Sequence, residues 1–263
     1  MESHGLPGTW APEDFVTPML TVLATDLRGS TDFFRQCSYK DVELLIQDLS
    51  SSTWLILNDI GKRTTRPWFP ASFVGDGHLA FLAETLGPSH AQYEIAQSHA
   101  YPTGPARALI AARLLVHQFA AFRRDGIPGL SPYAHDALQR VTLACAIGYG
   151  EVHYGPFGSP YVQGHTGLLE TVTTTFRLTK LTFDADNRHD YIAVTQPARR
   201  LIQSVQGLGA DGIPETPHSP AHASVRGQPL HRYLGQLKFA EQTDLLSGLG
   251  AVTLCKVTWP DFP

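Results

Sequence analysis

Apolar residues fall along this chain in two rhythms. Val22, Leu23 and Ala24 belong to a short continuous run over about 20–26 that stops at Asp26 and gives way to Gly29, Ser30 and Thr31, which predicts a buried strand. Val42, Leu45, Ile46, Leu49, Thr53, Leu57 and Ile60 then recur at helical spacing up to Gly61, a C-terminal stop. Ser38 and Asp41 stand ahead of them at capping-box spacing, with Asp in place of Glu. Pro67 and Pro70 end the connection, and the apolar pairs Phe73-Val74 and Leu79–Leu82 flank Gly75-Asp76-Gly77, which predicts a tight hairpin.

The second half repeats the alternation. Ala106–Arg124 predicts a helix, and Val141–Ile147, Gly148-Tyr149-Gly150 and Glu151–Tyr154 predict a second hairpin. Leu168–Leu181 predicts a helix despite its threonines, 191–194 a strand, and 197–204 a short helix with Pro in its first turn. His231–Phe239 and Ala251–Val257 are candidate closing strands. Residues 1–18 form a Pro/Gly-rich arm, and 84–104 and 206–230, without periodicity, are loop insertions in a single domain spanning 19–263. The order strand, helix, hairpin, helix, strand predicts an α+β fold with a ferredoxin-like βαββαβ core, an antiparallel-rich sheet with packed helices, and extra C-terminal strands. Two tight hairpins disfavour a doubly wound parallel sheet, which needs long crossovers.

Composition narrows the partners. A net charge of −4 in 263 residues excludes the basic surface that a nucleic-acid polymer requires. Only five lysines (Lys40, Lys62, Lys180, Lys238 and Lys256) accompany fifteen arginines, so lysine contacts to phosphate have few candidates. Cys37, Cys145 and Cys255 are widely spaced without CxxC and read as reduced thiols of a cytoplasmic protein. The N-terminus lacks signal-peptide character and no run approaches eighteen apolar residues, so no membrane partner is expected. His218 and His222 lie in a Pro-rich stretch with no further ligand nearby, and read as a solvated loop.

In the expected topology the first strand and the hairpin are sheet neighbours, which brings Asp26 and Asp76 to one rim. Either aspartate alone is ordinary, as a helix cap or a turn residue. Together they suit a two-metal site that activates an attacking oxygen and neutralises a triphosphate.

At this point the sequence resembles the class III nucleotidyl cyclase catalytic domain. Thr25-Asp26-Leu27-Arg28-Gly29-Ser30-Thr31 is similar to that family's first motif, and Phe73-Val-Gly-Asp76-Gly-His-Leu-Ala80-Phe81 to its second. Ala146–Gly155 resembles its later hairpin, with Gly150-Glu151-Val152 in place, and Phe176-Arg177-Leu178 the end of a later helix. Four ordered matches over about residues 20–205 are far more specific than any one.

The resemblance implies that Asp26, Asp76 and the backbone carbonyl of Leu27 hold two Mg²⁺ or Mn²⁺ ions. It implies further that the backbone of Arg28, Gly29, Ser30 and Thr31 cradles the β and γ phosphates at a helix start. Arg177 would stabilise the α-phosphate in the transition state, acting on a partner's metal site in a homodimer; its alternative is a helix-surface arginine. Thr173 stands where the family has asparagine, a hydrogen-bond donor to ribose or phosphate or a surface residue. Lys238 is a candidate for the terminal phosphate or an exposed strand lysine.

The pattern departs from purine cyclases at the base. Ser72 replaces their adenine-reading lysine and Tyr161 their aspartate. Loss of both base-reading groups costs purine discrimination without touching the metal chemistry. Short cyclases of this kind resemble the pyrimidine cyclases of bacterial anti-phage Pycsar systems, which implies UTP as substrate and cyclic UMP as an antiviral signal. A cytidylate cyclase, a purine cyclase with altered base contacts and a non-catalytic cyclase-like interaction domain remain as alternatives. A diguanylate cyclase would carry a Gly-Gly-Asp/Glu-Glu-Phe run, which Val74-Gly-Asp-Gly-His is not.

Overall fold

The computed structural model describes residues 19–62, 68–74, 76–83, 104–159, 162–168, 170–181, 189–206, 224–225, 228–229, 237–246 and 250–258. The expected arm at 1–18, almost all of the 84–104 insertion and most of the 206–230 loop lie outside these residues.

The central strand β1 (Met19–Arg28) is followed by the short helix α1 (Ser30–Gln36) and the long helix α2 (Tyr39–Lys62). The hairpin strands β2 (Trp68–Val74) and β3 (Gly77–Ala83) lead to α3 (Gly104–Asp125), α4 (Pro132–Leu138) and β4 (Thr142–Glu151). A second ribbon, β5 (His153–Ser159) and β6 (Val162–Leu168), precedes α5 (Glu170–Leu178), β7 (Tyr191–Thr195) and α6 (Gln196–Gln206). Two-residue strands β8 (Ser224–Val225) and β9 (Gln228–Pro229) pair with each other, and β10 (Lys238–Leu246) and β11 (Gly250–Thr258) close the chain.

Seven strands form one sheet in the order β10-β11-β7-β4-β1-β3-β2. Its β4-β1-β3-β2 half is antiparallel throughout, which is the ferredoxin-like core expected from the element order. β4 and β7 are the parallel pair; β11 pairs antiparallel with β7, and β10 antiparallel with β11.

Both faces of β1 are covered, so its apolar residues run continuously instead of alternating. Leu23 and Leu27 join Leu45, Leu49, Leu109, Leu115 and Phe119 in the main core under α2, α3 and α6. Leu20, Val22 and Ala24 point to the other face, with Phe81 and with Val172 and Phe176 of α5. Burial of side chains of this size contributes about 1.5–3 kcal/mol each, and by parity it sends Asp26 to the α5 face.

Polar clasps fix the ends of these elements. Ser38 and Asp41 form the expected cap: Ser38 Oγ donates to Asp41 Oδ2 (2.6 Å) and accepts from Asp41 N (3.2 Å). Asp41 also accepts from Ser131 N (2.9 Å), tying the start of α2 to that of α4. Arg123 grips Asp190 with both terminal nitrogens, and Asp190 accepts from Leu143 N (2.7 Å), which anchors the starts of β4 and β7 to α3.

Several expectations are corrected. Gly148-Tyr149-Gly150 is not a hairpin turn but part of β4, and the strand at His153 pairs with β6 instead of β4. The glycines are there for contact: a Cβ at Gly148 would lie 1.9 Å from Thr175 Oγ1, and one at Gly150 2.4 Å from Thr171 Oγ1. Thr175 donates its hydroxyl proton to the Thr171 carbonyl (2.6 Å), so threonines of α5 seat on the sheet without unpaired polarity. The expected helix 168–181 is therefore shorter, its first residue, Leu168, ending β6. The first closing strand starts at Lys238 and runs on to Leu246, so within 231–239 it contains only Lys238 and Phe239. Helix α2 continues one residue past Gly61. The three cysteines are unpaired, as expected.

His78 locks the hairpin to the core. Its backbone N–H donates to Thr25 Oγ1 (3.0 Å), and its ring lies with Nδ1 3.4 Å from the same oxygen and Nε2 3.3 Å from Ser50 Oγ. Ser50 spends its proton on the Ile46 carbonyl, so Nε2 is the donor and the ring is the neutral Nε2–H tautomer. Burial lowers the imidazole pKa to about 4. The unfolded chain binds the His78 proton below about pH 6.5, so this residue's share of stability is complete above that pH. It is lost between about 6.5 and 4, by roughly 3 kcal/mol. Denaturant melts of metal-free protein across this window should show that slope, and His78→Asn should remove it. In the sheet, Gly148→Ala should destabilise by about 1–3 kcal/mol, and Thr175→Ala in the same chain should return part of the loss, read as a coupling energy in a double-mutant cycle.

Candidate active site

Asp26 lies two residues before the end of β1, within the strand and not at its tip, paired through its backbone with Ala144 of β4. β3 meets β1 as far as Thr25–His78, so Asp76, in the turn before Gly77, stands two residues beyond that last pair. The approach is close enough to require glycine: a Cβ at Gly77 would lie 2.1 Å from the Thr25 carbonyl oxygen. That contact sets the hairpin tip beside Asp26, as the sequence predicted.

Downstream of Asp26 the chain turns sharply. Gly29 is left-handed (φ 81°), and a Cβ there would press within 3.0 Å of the Arg140 carbonyl. Ser30 opens α1 and donates its hydroxyl to the Leu27 carbonyl (2.9 Å), occupying one of that oxygen's two lone pairs. Thr31 is exposed. Arg28 lies with its guanidinium carbon 5.5 Å from the centre of the Tyr191 ring, a cation–π contact.

Residues Asp26 to Thr31, Asp76, Arg140 and Lys180 line one open pocket of about 530 Å³. Lys180 and Arg140 were not singled out from sequence. Lys180 sits just past the end of α5, and its Nζ donates to Asp26 Oδ1 (2.6 Å). The available signal was a lysine three residues beyond Arg177 in a chain with five lysines; nothing in the sequence marked Arg140.

The electrostatics are mixed by design of the fold. Burial pushes the Asp26 carboxyl above the usual carboxylate range, Lys180 pulls it back, and repulsion from Asp76 raises it further. Two mutually repelling carboxylates thus share a pocket with three cationic side chains, Arg28, Arg140 and Lys180. Such a site suits a ligand that brings both positive and negative charge, as a metal-bound phosphate does. Among the described residues no group of three or more His, Cys, Asp or Glu side chains could hold a metal ion. A magnesium-type site needs only one or two carboxylates, with water and phosphate oxygens completing the shell. The Asp26/Asp76 pair meets that requirement.

The other candidates lie elsewhere. Arg177 is half-buried on α5 and outside the pocket lining; its Nη1 is buried without a hydrogen-bond partner. Thr173 is exposed on the same helix. Ser72 is in β2 where the pairing to β3 shifts register between Pro70 and Phe73. Lys238 is exposed at the start of the edge strand β10, four strands from β1, or about 19 Å across the sheet. Tyr161 lies outside the described residues. Also among the described residues, no helix is long and apolar enough to cross a membrane.

No protein-family model matches the chain, and no curated protein matches it. Solved structures do. The adenylyl cyclase CyaB from P. aeruginosa superposes with a TM-score of 0.61 at 14% identity, over 93% of this chain and 96% of that one. The guanylyl cyclase Cya2 gives 0.55 at 15% identity, over 94% and 96%. A bacterial light-regulated adenylyl cyclase gives 0.60 at 14% identity over 97% of this chain, which spans only 54% of that one. Sheet order, helix placement and these superpositions agree that the chain adopts the fold of class III nucleotidyl cyclase catalytic domains.

Proposed function

We propose that this protein is a nucleotidyl cyclase: it closes the 3′-oxygen of a nucleoside triphosphate onto the α-phosphorus and releases pyrophosphate. The observation that carries this reading is the convergence of Asp26 and Asp76 on one pocket whose remaining wall is cationic. The likeness of fold to adenylyl and guanylyl cyclases supports the same class.

Two divalent cations, Mg²⁺ or Mn²⁺, would supply a lowered pKa for the attacking hydroxyl and neutralisation of the triphosphate. Asp26, Asp76 and the second lone pair of the Leu27 carbonyl would hold them. The turn from Arg28 to Thr31, bent by Gly29, would receive the β and γ phosphates, with the Arg140 side chain alongside. Arg177 would meet charge developing on the α-phosphate of a partner's site across a homodimer interface, since it lies outside the pocket of its own chain. Thr173, on the same helix, would orient the ribose or phosphate, whereas Lys238, four strands away from β1, takes the other reading given to it, an exposed strand lysine.

The substrate we favour is UTP, giving cyclic UMP as the signal of a bacterial anti-phage system. The support is chemical: Ser72 and Tyr161 stand where purine cyclases carry a lysine and an aspartate. CTP is the next candidate, followed by the purine nucleotides. A second reading, a non-catalytic cyclase-like domain, draws on the Lys180–Asp26 ion pair, which keeps the site closed by a side chain.

Two measurements test these readings. Asp76→Ala should lower Mn²⁺-dependent pyrophosphate release by at least about a hundredfold while leaving the fold intact; undiminished turnover removes the metal mechanism. Incubation with each of the four nucleoside triphosphates, with products identified by mass spectrometry, should give cyclic UMP in excess. Preference for ATP or GTP refutes the pyrimidine assignment, and no product from any of them favours the non-catalytic reading.

A further inference from the structure

The two partners of the Lys180–Asp26 bond differ in mobility. The Asp26 side chain is 4% exposed and rides on a strand paired on both sides, whereas the Lys180 side chain is 57% exposed on the turn beyond α5. The carboxylate is fixed in place and the ammonium can swing. In the same position its Nζ lies 5.6 Å from the Phe176 ring centre, so the ammonium makes a cation–π contact together with the Asp26 bond.

A divalent cation on Asp26 and an ammonium held 2.6 Å from Oδ1 of the same carboxylate repel each other, so the two compete for that charge even though the carboxylate has a second oxygen. We propose that Lys180 is a tethered counter-ion of the metal site: it neutralises Asp26 in the metal-free protein, and a divalent cation binds by displacing it. The proposal rests on the cyclase reading in taking Asp26 as a metal ligand, but it concerns the cation alone and needs no nucleotide.

The physical logic has two parts. A buried carboxylate stripped of its counter-charge is costly, so the pair keeps the empty pocket in its working shape. Displacing Lys180 then subtracts from metal affinity, unless the freed ammonium finds a new anion. A triphosphate arriving with its cation provides that anion, so metal alone should bind weakly and metal with polyphosphate should bind well.

The test is Mn²⁺ binding to the metal-free full chain, followed by electron paramagnetic resonance of the free ion. Lys180→Met removes the competing charge and keeps the length of the side chain, so the Kd for Mn²⁺ should fall by about tenfold. Lys180→Arg, which keeps the charge, should stay within about twofold of wild type. Mn²⁺ should also raise the Tm of Lys180→Met more than that of wild type, because the variant begins with an uncompensated Asp26. Lys180→Gln serves as a second neutral variant if the methionine variant does not fold. Equal or weaker Mn²⁺ binding by the neutral variants overturns the proposal. Asp26→Asn should abolish binding; if it binds Mn²⁺ like wild type, the metal site itself falls and the counter-ion role with it. Tighter binding by Lys180→Met in a protein that makes no cyclic nucleotide would uphold the counter-ion role and overturn the activity.

Discussion

A carboxylate taken out of water must be answered by positive charge, and Asp26 imposes that demand at the centre of the sheet. Its backbone is committed to β4 and its side chain is forced by strand parity to the α5 face. Lys180 answers directly and Arg28 at longer range, while Asp76 aggravates the demand. The result is a pocket lined by two carboxylates and three cationic side chains. Neither set belongs to a single motif; both follow from where β1, the β2–β3 hairpin and the end of α5 meet.

The two faces of the sheet do different work. Under α2, α3 and α6 lies the large aliphatic and aromatic core, which supplies most of the burial. The α5 face carries Leu20, Val22 and Phe81 together with a strip of small residues, Ala24, Ala144, Ala146, Gly148, Gly150 and Ala193, over which one short helix lies close. A thin layer of this kind contributes less burial but holds a helix end at a set height above the sheet. Arg177 and Lys180 are carried by that helix end, so their reach is decided by the contacts that Thr171 and Thr175 make earlier in the chain.

Much of this was legible in the sequence, and the reasons are local. The run from Val22 to Asp26, the capped periodicity of α2 and the Asp-Gly hairpin each have a mechanism acting within a few residues, and together they supply the ferredoxin-like order. The α5 seat was not legible, because glycine is read as a turn former and Gly148 and Gly150 are glycines for a tertiary reason. The ribbon of β5 and β6 was missed on the same account: once Gly148-Tyr149-Gly150 is taken for a turn, the strand after it is given the wrong partner. In the site, the pairing of Asp26 with Asp76 was legible because a carboxylate late in a buried strand and another in an Asp-Gly turn follow a known pattern. Lys180 and Arg140 have no such signature. They enter the pocket through the fold, from sequence distances of 154 and 114 residues from Asp26.

The interlock of Gly148 and Gly150 with Thr175 and Thr171 carries a consequence for how such a chain can change over generations. With a hydroxyl already where a methyl would have to go, neither side of the contact is free to drift alone. A larger residue in the strand requires a smaller one in the helix, and a shift of the helix would carry Arg177 and Lys180 with it. These four positions should therefore vary as a set among descendants of this sequence, because each permitted combination has to keep both the sheet packed and the helix end at its height.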